Sequence, residues 1–220
     1  MELIKLENIY YEYPGEIKVF ESLDFSLKKG QRAGIIGANG SGKTTLFSLI
    51  MGLAYPQKGD VVLFERQCAQ EKDFVQARRK IGYLFQDPDD QVFCPTVEED
   101  IAFGPLNLGV KLDDVKQLTE ELVKELGIES LLKRITTKLS WGQKRLVSLA
   151  GVLAMNPDVL ILDEPTASID DNVIKKITEY FKKNDYSLLI ASHDKKFLKN
   201  LCVDNYYLKD GNLTHINRQI

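Results

Sequence analysis

Eight residues constrain this chain more than any others. Gly37-Ala38-Asn39-Gly40-Ser41-Gly42-Lys43-Thr44 sits between the apolar run Ala33-Gly34-Ile35-Ile36 and a segment where Leu46, Phe47, Leu49 and Ile50 recur at helical spacing. The run reads as a buried strand and the segment as a helix. That strand–loop–helix setting gives the pattern G-x-x-x-x-G-K-[ST] its meaning. Glycines let the backbone curl with its N–H groups pointing inward around phosphate oxygens. The helix that starts there adds its positive dipole end. Lys43 would reach the outer phosphates of a triphosphate, and the Thr44 hydroxyl would ligate Mg²⁺. Thr45 joins Gly37, Asn39, Gly40, Ser41 and Gly42 as a candidate nucleotide contact. A turn that merely precedes a helix needs neither Lys43 nor Thr44.

With 220 residues the chain is one large domain or two small ones, and it can bury a sizeable core. A net charge of −3 gives no electrostatic case for nucleic acid or an acidic membrane surface. The one basic cluster, Arg78-Arg79-Lys80, is short and reads as a solvated face. No apolar run approaches the ~18 residues that would span a bilayer. Met1-Glu2-Leu3-Ile4-Lys5 lacks the features of a signal peptide. Cys68, Cys94 and Cys202 are far apart without metal-ligand spacing, so they read as reduced thiols filling space.

Leu3 to Leu6, Lys18 to Leu27, Gly59 to Phe64 and Ile81 to Phe85 read as strands, with a turn at Lys28-Lys29-Gly30-Gln31. Gly52 and Pro56 break the chain after the first helix. Thr96-Val97-Glu98-Glu99 is a capping box. Apolar residues at Val115, Leu118, Leu122 and Leu126 mark a helix from Leu112, closed by Gly127. A further helix runs from about Trp141 to Met155 and stops at Asn156-Pro157. Residues 87–157 thus read as a helical insertion. Val159-Leu160-Ile161-Leu162 and Ser187-Leu188-Leu189-Ile190-Ala191 are central parallel strands, with a crossover helix over Asn172 to Phe181.

Leu162-Asp163-Glu164-Pro165 ends a wholly apolar strand, where ligands bind in open α/β sheets. Asp163 suits a Mg²⁺ shell, and Glu164 is placed to take a proton from an attacking water. Leu139-Ser140-Trp141-Gly142-Gln143 opens a helix at whose N-cap, Ser140, free N–H groups offer an anion site.

The phosphate loop, Leu-Ser-x-Gly-Gln, Leu-Asp-Glu-Pro and a late Ser192-His193-Asp194 occur in that family's order. Together they resemble the nucleotide-binding subunits of ATP-binding-cassette transporters, over essentially the whole chain. The resemblance implies an α/β P-loop NTPase core with a mainly parallel sheet (residues 1–86 and 158–220), an N-terminal antiparallel β subdomain, and an inserted helical subdomain (87–157). It implies a dimer in which two subunits sandwich two ATP molecules, so that Ser140, Gly142 and Gln143 act on the partner's nucleotide. Glu164 matches the catalytic base, His193 the histidine contacting the γ-phosphate, and Gln86 the glutamine sensing Mg²⁺ and water. Tyr13 matches the aromatic residue stacked on adenine, although Tyr10 and Tyr11 are close by. Ser168-Ile169-Asp170 matches the segment crossing the dimer interface.

Gln86-Asp87-Pro88-Asp89-Asp90-Gln91-Val92-Phe93, with Pro95 to Gly104 and Leu149 to Met155, looks like the energy-coupling-factor importers, closest to their cobalt and nickel ATPases. There the region meets a membrane coupling protein, and Asp90, Val92 and Phe93 are the contact candidates. The implied protein is an ATPase peripheral to the cytoplasmic face of the membrane. Its partners would be the coupling protein, a membrane substrate-binding subunit and a second ATPase subunit, identical or related. Rival readings are the ATPase of another transporter class, or a clamp on DNA or ribosomes, for which no basic surface is visible. Trp141 departs from the family's usual glycine, and would either crowd the partner's nucleotide or pack against the partner. The sequence ends soon after Asp210-Gly211-Asn212-Leu213, where many such ATPases carry a segment aiding dimerisation, so the expected dimer leans on ATP or membrane partners. The transported solute, metal or vitamin, is chosen by the membrane subunits.

Overall fold

The computed structural model describes residues 1–15 and 17–216. The final residues of the expected core, 217–220, lie outside the described residues. Strands β1 (Glu2–Tyr13), β2 (Ile17–Lys28), β4 (Lys58–Leu63) and β5 (Arg66–Gln67) form an antiparallel sheet in the order β2-β1-β4-β5. A second sheet has the order β10-β9-β3-β8-β7-β6, built from β3 (Arg32–Ile36), β6 (Ile81–Leu84), β7 (Val159–Asp163), β8 (Ser187–Ala191), β9 (Asp204–Lys209) and β10 (Asn212–Ile216). Its pairs are parallel except for the β9–β10 hairpin. Helix α1 (Lys43–Ile50) follows the phosphate loop, and α2 (Glu71–Arg78) leads to β6. Helices α3 (Val97–Asn107), α4 (Leu112–Leu126) and α5 (Trp141–Ala154) all lie between β6 and β7. Helix α6 (Asp171–Lys183) joins β7 to β8, and α7 (Lys195–Leu201) precedes β9.

Strand β7 shows why the apolar run had to be continuous. Val159 and Ile161 pack into the core shared with the antiparallel sheet and α1, while Leu160 and Leu162 point into the core under α3–α7. A strand buried on both faces has no polar side to show. By the same logic β3, β8, β7 and β6 stand side by side, and their carboxyl ends open onto one edge. The residues just past those ends are Gly37, Ser192-His193, Glu164 and Phe85-Gln86.

Several elements differ from the sequence reading. β1 runs on to Tyr13 because register shifts around Leu6–Ile9, with Asn8 at φ 52°, break the alternation without ending the strand. Helices α2 and α7 and the β9–β10 hairpin were not foreseen. The Arg78 cluster is not merely solvated: Arg78 donates to the Met51 and Gly52 carbonyls at 2.8 and 3.1 Å and pairs with Glu71, stapling α2 to the end of α1. Cys68 and Cys202 are buried, and desolvation pushes the Cys202 thiol up to about 12, as space-filling thiols should behave. Among the described residues no helix is long and apolar enough to cross a membrane.

Candidate active site

The phosphate loop floors a cleft of about 810 Å³ whose lining includes Tyr13, Asn39 to Thr45, Gln86, Asp163 and Glu164. Gly42 caps α1 at φ 103°, and a Cβ there would come within 2.9 Å of Val19, so only glycine turns the loop into the helix at this point. Lys43 is 8% exposed, and its Nζ donates to the carbonyls of Gly37 and Ala38 at 2.8 and 3.0 Å. Burial lowers its pKa, with Glu164 and Asp163 opposing that shift. A cation under this desolvation gains most from an incoming anion. Ser41 Oγ, buried beside it, has no hydrogen-bond partner.

Thr44 Oγ1 donates to Asp163 Oδ2 at 2.9 Å. Asp163 is 1% exposed, and burial holds its carboxyl above the ordinary value of 3.8 although Thr44 pulls it down. Two oxygen ligands in contact, with Gln86 on the same cleft wall, fit a hard divalent cation that keeps the rest of its shell from water and phosphate. Glu164 sits in left-handed backbone, φ 48°. The His193 N–H donates to its Oε2 at 3.2 Å, and His193 Nε2 bonds Asn39 Oδ1 at 2.9 Å. Oε1 of Glu164 is buried, 3.5 Å from His193 Nε2, with no hydrogen bond of its own. A base with one free oxygen beside the phosphate loop is what water activation requires.

Of the three tyrosines near the start, Tyr13 reaches the cleft. Its hydroxyl bonds Thr45 Oγ1 at 2.9 Å, and its ring stands edge-on to Tyr11. Tyr11 is buried in the core, and Tyr10 bonds Glu12. The cleft also has walls that sequence reading missed: Ile17 to Val19 from β2, and Tyr207 to Gly211 from the β9–β10 hairpin. Their only signal was the Asp210-Gly211 turn.

Ser140, Gly142 and Gln143 do not line this cleft. They form the N-terminus of α5, where the Ser140 side chain accepts from the Gln143 N–H and Gln143 Oε1 accepts from the Ser140 N–H. A Cβ at Gly142 would approach the Ser168 carbonyl to 2.9 Å, so glycine lets α5 rest on that turn. Trp141, expected either to crowd the partner's nucleotide or to pack against the partner, has neighbours in its own chain. Its ring lies over the Arg145 guanidinium at 5.5 Å and borders a cavity with Gln86, Glu164, Ser168 and His193.

A profile of the ABC transporter family matches residues 20–167. The chain belongs to the ABC transporter family. A putative ABC transporter ATP-binding protein of Brucella suis biovar 1 is 44% identical over 211 residues, 96% of this chain and 87% of that one. The energy-coupling factor transporter ATP-binding protein EcfA of Methanocaldococcus jannaschii is 37% identical over 217 residues, 97% of this chain and 78% of that one. The solved structure of cbiO1 from Clostridium perfringens, part of the ABC transporter complex cbiONQ, matches with TM-score 0.86 and 33% identity, covering 99% of this chain and 89% of that one. The fold is the ABC ATPase fold, and this chain is an ATP-binding subunit that hydrolyses ATP to drive transport.

Proposed function

We propose that this ABC ATPase powers an importer of the energy-coupling-factor type, for cobalt, nickel or a vitamin, from the cytoplasmic face of the membrane. In this reading ATP closes a pair of ATPase subunits, two copies of this chain or one with a relative, and hydrolysis reopens them. Lys43 and the loop amides bind the phosphates, Tyr13 stacks on adenine, and Asn39 holds His193 toward the γ-phosphate. Glu164 Oε1 takes the proton of a water whose oxygen attacks the γ-phosphorus as the bond to the β-phosphate oxygen breaks. A bound Mg²⁺, held by Thr44 and Asp163 with Gln86 alongside, would draw off charge developing on the phosphates. Ser140, Gly142 and Gln143 close over the partner's γ-phosphate. The free Oε1 of Glu164, in the lining of the phosphate-loop cleft and 3.5 Å from His193 Nε2, is the observation that carries the hydrolytic part of this reading, and the likeness to EcfA and cbiO1 supports the importer type.

The contact with the membrane coupling protein falls just beyond Gln86. Phe93 is 65% exposed and stands edge-on to the exposed Phe103 at 4.7 Å, beside an apolar groove that includes Leu106 and Leu112. Asp90 is exposed, and Val92 is half-buried against the helical core beside it. Exposed apolar rings grouped this way mark a surface meant to be covered. Phe93→Asp should leave ATP hydrolysis by the isolated chain unchanged and abolish co-purification with the coupling protein. Full retention of the complex would remove this surface from the reading.

A further inference from the structure

Among the described residues Arg145 is the largest fully buried side chain, 1% exposed, and nothing in the chemistry above uses it. A guanidinium is almost never buried unless it is paired. Here the partners are four backbone carbonyls. Nη1 donates to Phe85 and Gln86, the latter at 2.9 Å, and Nη2 donates to Asp163 and Glu164. Those carbonyls leave β6 and β7, whose ladder ends at the Leu84–Leu162 pair. The guanidinium therefore continues the sheet's cross-links one step beyond the strands, between the residue before Gln86 and the turn that carries Glu164.

That turn needs holding. A non-glycine residue at φ 48° is strained and persists only where its surroundings fix it. Glu164 is fixed by its N–H on the Ala191 carbonyl at 2.9 Å and by Arg145 on its own carbonyl. Arg145 Nε has no acceptor, and the Trp141 ring, one turn earlier on α5, covers the guanidinium. Asp163 and Glu164 oppose the effect of burial, which leaves the guanidinium at about 10 and so charged at neutral pH. Lys144 pairs with Asp89, adding a second tie from α5 to the segment after Gln86.

We propose that Arg145 is a positioning residue for hydrolysis: its guanidinium fixes the spacing of Gln86 and Glu164, and the stacked Trp141 ties that spacing to the position of α5. Since the N-terminus of α5 faces the partner's nucleotide in the proposed dimer, closure at one site would be felt by the glutamine and base of the other. This rests on the functional reading above.

Lysine keeps the charge but cannot fork across four carbonyls or stack flat under an indole. Arg145→Lys should therefore bind ATP with KM near that of the wild type while kcat falls roughly 10- to 100-fold, the cost of a misplaced catalytic group. Trp141 is the sole tryptophan, so its fluorescence reads the clamp directly. In the wild type, Mg²⁺ with a non-hydrolysable ATP analogue should shift that emission, and Arg145→Lys should lose the shift while still binding the analogue. If Arg145→Lys cannot be purified folded, Trp141→Ala against Trp141→Phe decides: the alanine variant should lower kcat without raising KM, and the phenylalanine variant should restore it. Wild-type kcat in a folded Arg145→Lys or Trp141→Ala protein would overturn the proposal. So would an emission indifferent to an analogue that the wild type binds. A wild-type chain that neither binds nor hydrolyses ATP would instead sink the functional reading itself.

Discussion

The phosphate-loop cleft and the N-terminus of α5 are both anion sites in kind, yet they are built in opposite ways. In the cleft, groups from several elements of one chain converge: buried Lys43 bonds two carbonyls, and the exposed Thr44 and His193 bond Asp163 and Asn39. At α5, Ser140 is exposed and its side chain caps its own helix. The cleft is shaped to bind from within one chain. The α5 terminus has an anion-seeking end that does not line the phosphate-loop cleft, which in the proposed dimer suits a second subunit's nucleotide. The difference predicts that damage in the cleft is felt in the subunit that carries it, whereas loss of the Ser140 hydroxyl is felt at its neighbour's nucleotide.

The largest effect should come from Glu164→Gln. It should leave ATP affinity intact and lower steady-state hydrolysis by a factor on the order of 10²–10⁴, the usual worth of a general base. Hydrolysis at the normal rate would take Glu164 out of that role. Next comes Ser140→Ala, which should leave nucleotide binding to the isolated chain unchanged and lower kcat roughly 10-fold, the loss of one hydrogen bond to a charged group. Smallest is Thr96→Ala at the head of α3, where the same reciprocal capping box exists far from any phosphate. It should cost about 1 kcal/mol in stability, read by denaturant unfolding, with kcat unchanged. If Ser140→Ala and Thr96→Ala behaved alike, Ser140 would be a cap and nothing more.

The site was legible where its chemistry is local. The phosphate loop, the carboxylates after an apolar strand and the cap at Ser140 each declare themselves within a few residues. What could not be read was assembled by the fold. Arg145 looks like any surface cation in a helix, and only the convergence of β6, β7 and α5 makes it a clamp. Gln91 reads as loop, yet its side chain bonds the Phe85 N–H and the Tyr83 carbonyl, continuing the edge of β6 as a missing strand would. Helix α2 is mostly polar and buries only Phe74 and Ala77, too short a pattern to show a period. The β9–β10 hairpin walls the cleft with residues that are far from the loop in sequence and carry no motif.

The central claim, that each working site is made by two chains, has one direct test. Lys43→Ala removes the binding half and Ser140→Ala the capping half. Each variant alone should hydrolyse ATP poorly under conditions where the wild-type chain is active by itself. Mixed, they can form pairs in which an intact Lys43 from one chain meets an intact Ser140 from the other, and hydrolysis should rise well above that of either variant. A mixture no more active than its components, beside an active wild type, would contradict the account.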